Sequence, residues 1–219
     1  MFRDREDAGR KLALAVMRFK DEHPCILALP RGGVPVAYEV AKALDAPLDL
    51  VLVRKIGAPF QPELAIAAVV DGSRPELVVN EDLARQLEID DAYLAREEMR
   101  QLREIERRRQ FYLAGLDRVP VRGKTAIIID DGIATGATIR AAINATRRAN
   151  PKRIVVAAPV APVETIAALR SEADEVVCVE QPEYFGGVGR HYIDFTQVDD
   201  EEVRRLLVRA TLETRAKTA

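Results

Sequence analysis

A chain of 219 residues is long enough for one sizeable domain, and 48 % hydrophobic with 31 % charged residues excludes disorder. A formal net charge of −2 gives no general drive toward nucleic acid or an anionic membrane, and no apolar run approaches the roughly 20 residues needed to span a bilayer. The opening segment MFRDREDAGRKLA lacks the apolar core of a secretory leader, and Cys25 and Cys178 sit singly in apolar, strand-like runs. The chain therefore reads as cytoplasmic, with reduced thiols and no metal site built on its two histidines.

Ala8, Leu12, Ala15, Val16 and Phe19 recur at helical spacing, which predicts a leading amphipathic helix over 5–20. CILAL (25–29) predicts a short buried strand that runs into the turn PRGG. VPVAYEVAKAL (34–44) predicts a helix, LDLVLV (48–53) a second strand and IAAVVD (66–71) a third. Residues 81–116 break this alternation with a long helical pattern. Leu94, Leu102, Ile105, Tyr112 and Leu116 fall on one face, joined there by Glu98 and Arg109, while Arg100–Glu104 and Glu104–Arg108 are i,i+4 pairs. Two readings stand for this segment. It is an inserted helix docked by its apolar stripe, or Arg107, Arg108 and Arg109 reach toward an anionic ligand or a partner subunit. Glutamates dilute the basic charge and aromatics are few, which argues against nucleic acid. TAIIID (125–130), RIVVAAPV (153–160) and EVVCVE (175–180) predict further strands, with helices at 137–149, 163–171 and 199–214. Strands alternating with helices predict an α/β fold: a doubly wound parallel sheet covered on both faces. No repeat or linker divides the chain, so 1–219 reads as a single domain with a helical insertion at 76–118.

Residues 126–138 read AIIIDDGIATGAT. Two adjacent carboxylates at a buried strand end repel each other, so their pairing asks for a reason. In a parallel sheet, ligands bind beyond the carboxyl ends of the strands. The small residues after Asp131 leave backbone N–H groups free, and the next helix adds its positive N-terminus, which together make a phosphate site. Thr135 and Thr138 add hydroxyl donors, and Gly136 permits close approach. Asp130 and Asp131, beside that site but not on it, suit the vicinal hydroxyls of a ribose. The combination points to ribose 5-phosphate; the plainer alternative is a polar strand end whose aspartates cap the loop. The chain has no GxxxxGK[ST] run, no GxGxxG after its first strand, and adjacent aspartates in place of the alternate pair of a DxDxT phosphatase.

The run IIIDDGIATGAT resembles the signature of the type I phosphoribosyltransferases, enzymes that use phosphoribosyl pyrophosphate (PRPP). The resemblance covers 25–75 and 120–198 and implies the Rossmann-like sheet of that family. It implies that Asp130 and Asp131 hold the ribose hydroxyls and that Ala134, Thr135, Gly136, Ala137 and Thr138 wrap the 5′-phosphate. LPRGGV (29–34) then matches the pyrophosphate loop, with Arg31 as a forked cation, Gly32 and Gly33 exposing N–H groups, and a cis Pro30–Arg31 peptide. Arg54 and Lys55 of VRKIGAPFQPEL (53–64) would meet the pyrophosphate at the start of a mobile lid. That run is similar to RKxGKLP of the adenine enzymes, with Ala58 in place of the second Lys. A C-terminal hood over 180–198 would bind the acceptor base. Within its QPEYFGGVGRHYIDF run, Val188 lies in the base-side segment, and Tyr184 or Phe185 either stacks on the base or packs the hood. Gly132 is a departure, because the family more often carries an apolar residue there. The whole pattern, beginning FRDRxDAGRxLA, is most similar to a group of bacterial phosphoribosyltransferase-like proteins of unassigned acceptor, some fused to an α/β-hydrolase domain.

The resemblance implies a pentosyltransferase with Mg²⁺ as cofactor. PRPP would break its C1–O bond through an oxocarbenium-like transition state, with Mg²⁺, Arg31, Arg54 and Lys55 stabilising the departing pyrophosphate. Asp130 and Asp131 would orient the ribose and meet the metal through its hydroxyls or water. Asp194 resembles a metal-binding aspartate of the purine enzymes. The 6-oxopurine enzymes carry an Asp base where this chain has Ala134, and a Lys where it has Ala161 and Pro162. Both differences argue against hypoxanthine and guanine, with water or a hood residue, His191 first among the side chains, as the substitute. The expected partners are PRPP and a small planar base, with neither nucleic acid nor membrane, in a homodimer. The alternative is a PRPP- or nucleotide-sensing regulatory module of the same fold; the retained Arg31, Arg54 and Lys55 favour the enzyme.

Overall fold

The computed structural model describes residues 1–71 and 76–218; residues 72–75, at the end of the 25–75 stretch, and residue 219 lie outside it. Asp4 caps α1 (Arg5–Val16) by accepting the Asp7 N–H. There follow β1 (Cys25–Ala28), α2 (Gly33–Leu44), β2 (Leu48–Leu50), β3 (Val53–Ala58), β4 (Gln61–Val70) and β5 (Glu76–Val79). Helices α3 (Glu81–Gln86) and α4 (Asp91–Tyr112) come next. The chain then alternates through β6 (Thr125–Ile129), α5 (Ala137–Arg148), β7 (Arg153–Val160), α6 (Val163–Leu169) and β8 (Glu175–Glu180), and α7 (Asp200–Thr218) closes it.

Among the described residues, a five-stranded parallel sheet runs β2-β1-β6-β7-β8. Its central strands β1, β6 and β7 are apolar on both sides, and their period of two divides them between two cores. Ile26, Ala28, Ile127, Ile129, Val155 and Ala157 pack with Leu12, Val36, Val40 and Leu207 of α1, α2 and α7. Their neighbours Cys25, Leu27, Ala126, Ile128, Ile154 and Val156 pack with Ile139, Ile143 and Ile166 of α5 and α6. The doubly wound α/β sheet expected from the alternation is therefore present. Both cysteines are free thiols, which burial pushes up to about 11.

The stretch 48–53 does not form one strand. The parallel strand stops at Leu50, and Val53 begins a separate antiparallel sheet, β3-β4-β5. IAAVVD, expected as a third strand of the main sheet, is the end of β4. The cause is the short turn at Pro59 and Phe60, because a connection that short joins antiparallel neighbours only. The segment 76–118 likewise opens as strand β5 before its helices.

Helix α4 buries Leu94, Ile105 and Tyr112, with Leu102 and Leu116 half-buried against the same core. Arg107, Arg108 and Arg109 are paired within the protein. Arg107 and Arg108 both donate to Glu104, which these bonds hold down at about 2, Arg107 contributing most. Arg109 meets Glu106 at 2.5 Å and Asp71 at 3.8 Å. Within β2, the buried Asp49 accepts from the Leu50 and Val119 N–H groups and from Arg118 Nε, which ties the end of the insertion to the main sheet.

Candidate active site

Strand β1 lies between β2 and β6, and the helices that leave β1 and β6 cover opposite faces of the sheet. Their loops diverge at the carboxyl ends of the strands and open a crevice, the position where such sheets take ligands. The loops are 29–32 after β1, running into Gly33 at the start of α2, and 130–136 after β6. Gly32 and Gly33 matter here through close approach. A Cβ on Gly32 would lie 2.0 Å from Asp131 Oδ2, and one on Gly33 would lie 2.7 Å from the Ile129 carbonyl oxygen. The Pro30–Arg31 peptide is cis. Arg31 faces Asp200, at the start of α7, across 3.6 Å, and Asp200 accepts the Tyr112 hydroxyl at 2.5 Å. The end of α4 therefore reaches the partner of Arg31.

The acidic pair is closely confined. The Asp131 N–H donates to Asp130 Oδ1 at 2.9 Å. Burial, and then the charge of Asp131, push Asp130 well above the usual carboxylate range, with Lys55 opposing. Burial also raises Asp131, against the pull of Arg5, whose Nε donates to Oδ2 at 2.8 Å. The Tyr192 hydroxyl donates to the Asp131 carbonyl at 2.5 Å. Arg5 and Tyr192 are site neighbours that sequence reasoning missed. Their only local signal was the charge-rich FRDRED start and an aromatic in the hood.

Residues 134–138 form one cradle at the N-terminus of α5. The loop faces the protein with its carbonyls: Thr165 Oγ1 donates to Ala134 O at 2.7 Å and Arg140 Nη1 to Thr135 O at 3.0 Å. In a trans peptide the next N–H points the opposite way, so this anchoring turns the N–H groups of Thr135 and Gly136 outward. Gly136 has φ +79°, the left-handed region, and a Cβ there would also press Thr165 Cγ2 at 3.3 Å. Ala137 and Thr138 begin the helix, where the first N–H groups lack intrahelical partners. The departure at Gly132 has a packing cause. A Cβ there would meet Val188 Cγ1 of the hood at 2.5 Å, so a hood side chain fills the space an apolar residue would take.

Along β3, Arg54 and Lys55 separate, because adjacent residues of a strand point to opposite faces. Lys55 is exposed and acts on Asp130. Arg54 instead donates to Gln101 of α4 at 3.0 Å, and burial, then Arg108, lower its pKa. Of the two residues expected at the pyrophosphate, Arg54 is engaged with Gln101 and Lys55 lies beside the acidic pair. In the hood, Phe185 stacks on His191 with ring centres 5.4 Å apart, and Phe185 and Val188 pack on the cluster of Phe2, Ala8, Val160 and Tyr192. Of the two aromatics, Phe185 packs the hood and Tyr184 stays exposed. His191 Nε2 is engaged with the Phe185 carbonyl at 2.9 Å. Asp194 is exposed and accepts from the Thr196 N–H and hydroxyl, which lower its pKa. Among the described residues no group of three or more His, Cys, Asp or Glu side chains could hold a metal. Asp130 and Asp131 fit a cation that takes one or two carboxylates and completes its shell from substrate oxygens and water, as Mg²⁺ does, and not one needing an all-protein cage.

The phosphoribosyl transferase domain model matches residues 3–194. Two Mycobacterium tuberculosis proteins (strains CDC 1551 / Oshkosh and H37Rv), each named "Putative phosphoribosyl transferase", are 47 % identical over 211 residues, covering 96 % of this chain. That alignment covers 47 % of each relative, so the chain spans about half the length of the curated relatives it matches. The crystal structure of TT1426 from Thermus thermophilus superposes with a TM-score of 0.82 at 42 % identity, covering 95 % of this chain and 98 % of that one. A hypothetical protein from Neisseria gonorrhoeae with bound ppGpp has a TM-score of 0.50 at 12 % identity, covering 95 % and 96 %, and shares the fold alone. No helix among the described residues is long and apolar enough to cross a membrane. With the family model spanning most of its length and these relatives near half identity, the chain belongs to the phosphoribosyl transferase domain family.

Proposed function

We propose that the chain transfers the 5-phosphoribosyl group of PRPP to a ring nitrogen of a small planar base and releases pyrophosphate in a Mg²⁺-dependent reaction. The observation that supports this most is the close approach of Gly32 to Asp131, which brings the loop after β1 against the acidic pair. In this reading Asp130 and Asp131 take the ribose hydroxyls, and the N–H groups of 134–138 take the 5′-phosphate. Arg31 and Lys55 take the pyrophosphate. Bound with PRPP, Mg²⁺ supplies positive charge to the pyrophosphate oxygens. The C1–O bond breaks and its electron pair leaves with pyrophosphate. The base nitrogen gives its lone pair to C1, and its proton passes to water or to the released pyrophosphate. Arg31 and Lys55 meet the charge that grows on the leaving group, which is where preorganised cations lower a barrier. The carboxylates hold negative potential beside the cationic ring. Arg31 reaches this role by exchanging Asp200 for the ligand, and its present 3.6 Å pairing is loose enough to exchange. Pyrophosphate release from PRPP and Mg²⁺ with a panel of purines and pyrimidines tests the reading. Release that depends on one base supports it; tight PRPP binding with no turnover on any base assigns the chain to a sensing role instead.

Hypoxanthine and guanine are expected to be poor acceptors. A base aligned with the purine contributes about 10²–10⁴-fold, and exposed Ala134 offers none. Pro162 has no donor for the 6-oxo group, and His191 is engaged at Phe185. Steady-state rates should place both at least about a hundredfold below the best base. A kcat/KM of about 10⁵ M⁻¹s⁻¹ or more with either would overturn this account of the base pocket.

A further inference from the structure

Arg5, in the first turn of α1, touches both the acidic pair and the hood. Its Nε donates to Asp131 Oδ2 at 2.8 Å and its Nη1 to the Thr196 carbonyl at 2.8 Å. Its guanidinium carbon lies 4.0 Å from the Phe195 ring centre and 6.0 Å from that of Tyr192. The Arg5 and Asp131 side chains are only 11 % and 14 % exposed. Stability alone is a weak reason for this arrangement, since a buried ion pair roughly breaks even against apolar packing. Its local effect is specific. Two adjacent carboxylates repel, and an Asp131 carboxylate without a partner would rotate away from Asp130. The fork of Arg5 takes one oxygen of Asp131, the Tyr192 hydroxyl takes its backbone carbonyl, and Phe195 stacks on the guanidinium plane. The Asp131 carboxylate is thereby fixed in one orientation before any ligand arrives.

We propose that Arg5 is a positioning residue of the ribose site: it holds Asp131 in the orientation that accepts the ribose hydroxyls, and through Thr196 and Phe195 it joins that site to the hood. The inference rests on the PRPP reading above. It makes α1 a working part of the ligand site and not only a helix packed on the sheet. Lysine does not reproduce the effect, because a point charge cannot hold Asp131 and Thr196 in one planar fork.

Calorimetry with ribose 5-phosphate and with inorganic phosphate, on wild type, Arg5→Ala and Arg5→Lys, separates positioning from packing. Arg5→Ala should bind ribose 5-phosphate about tenfold or more weakly, the loss expected for a charge-assisted hydrogen-bond network. Its affinity for inorganic phosphate, held by 134–138, should stay near wild type. Arg5→Lys should fall between the two, and free guanidinium ion should restore ribose 5-phosphate binding to Arg5→Ala. Unchanged ribose 5-phosphate affinity in Arg5→Ala, or equal weakening toward both ligands, overturns the role. If Arg5→Ala does not fold, the same ratio measured in Arg5→Lys decides. Wild-type protein that binds ribose 5-phosphate no better than inorganic phosphate defeats the PRPP reading instead, a result distinct from either.

Discussion

Asp130→Asn/Asp131→Asn should bind PRPP at least about a hundredfold more weakly than wild type. Each carboxylate accepts from ribose hydroxyls in the proposed complex, and hydrogen bonds to a charged group contribute about 1.5–3 kcal/mol apiece. Folding should respond in the opposite sense at position 130. Burial, and then Asp131, raise Asp130 well above the 3.8 it has when exposed. Between those two values the folded chain binds more protons than the unfolded chain, so stability falls as pH rises through that window. Asparagine carries no such penalty. Asp130→Asn should therefore melt no lower than wild type at neutral and alkaline pH, with its relative advantage shrinking as pH falls toward the ordinary carboxylate pKa of about 3.9. Loss of binding with retained stability marks a residue kept for its ligand. Calorimetry and melting curves on the same samples check both halves; a variant that binds PRPP like wild type, or that loses stability most at high pH, contradicts the assignment.

Gly32→Ala should lower kcat/KM by about a hundredfold while leaving secondary structure intact. The added methyl would sit 2.0 Å from Asp131 Oδ2 and 2.6 Å from its Cγ. Asp131 has little freedom to yield, because Arg5 holds that same oxygen. The loop cannot simply retreat into the protein either, since Gly33 already lies against the Ile129 carbonyl and the Asp130 backbone. One of the two loops must shift by about an ångström, and a misplacement of that size can cost about 10²-fold in rate. Circular dichroism and steady-state kinetics on Gly32→Ala provide the check. Near-normal turnover would mean that the two loops do not act on one ligand.

Much of the fold was legible because the parallel strands carry their own evidence. ILA, AIII and IVVAA are apolar on both faces, and only a sheet covered on both sides buries such runs. The parts of the candidate site at 130–138 were legible because acidic pair, small-residue loop and helix start are contiguous in the chain. What was not legible depends on direction and distance. LDLVLV has strand character throughout, and nothing local shows that Leu50 ends a parallel strand while Val53 begins an antiparallel one. Arg54 and Lys55 look equivalent in sequence, yet strand alternation sends one to Gln101 and leaves the other beside the acidic pair. Arg5 and Asp131 lie 126 residues apart, and no spacing rule links them. The departure at Gly132 has no local explanation either, because Val188, which occupies its side-chain space, is remote in sequence.

The most direct test of the account is a crystal structure of the chain with PRPP and Mg²⁺. The account predicts the ribose hydroxyls on the Asp130 and Asp131 carboxylates, with the 5′-phosphate on the N–H groups of 134–138. It places the pyrophosphate at Arg31, Gly32, Gly33 and Lys55, with Arg54 still on Gln101. PRPP bound elsewhere, or a crevice between β1 and β6 that stays empty at saturating PRPP, would contradict it.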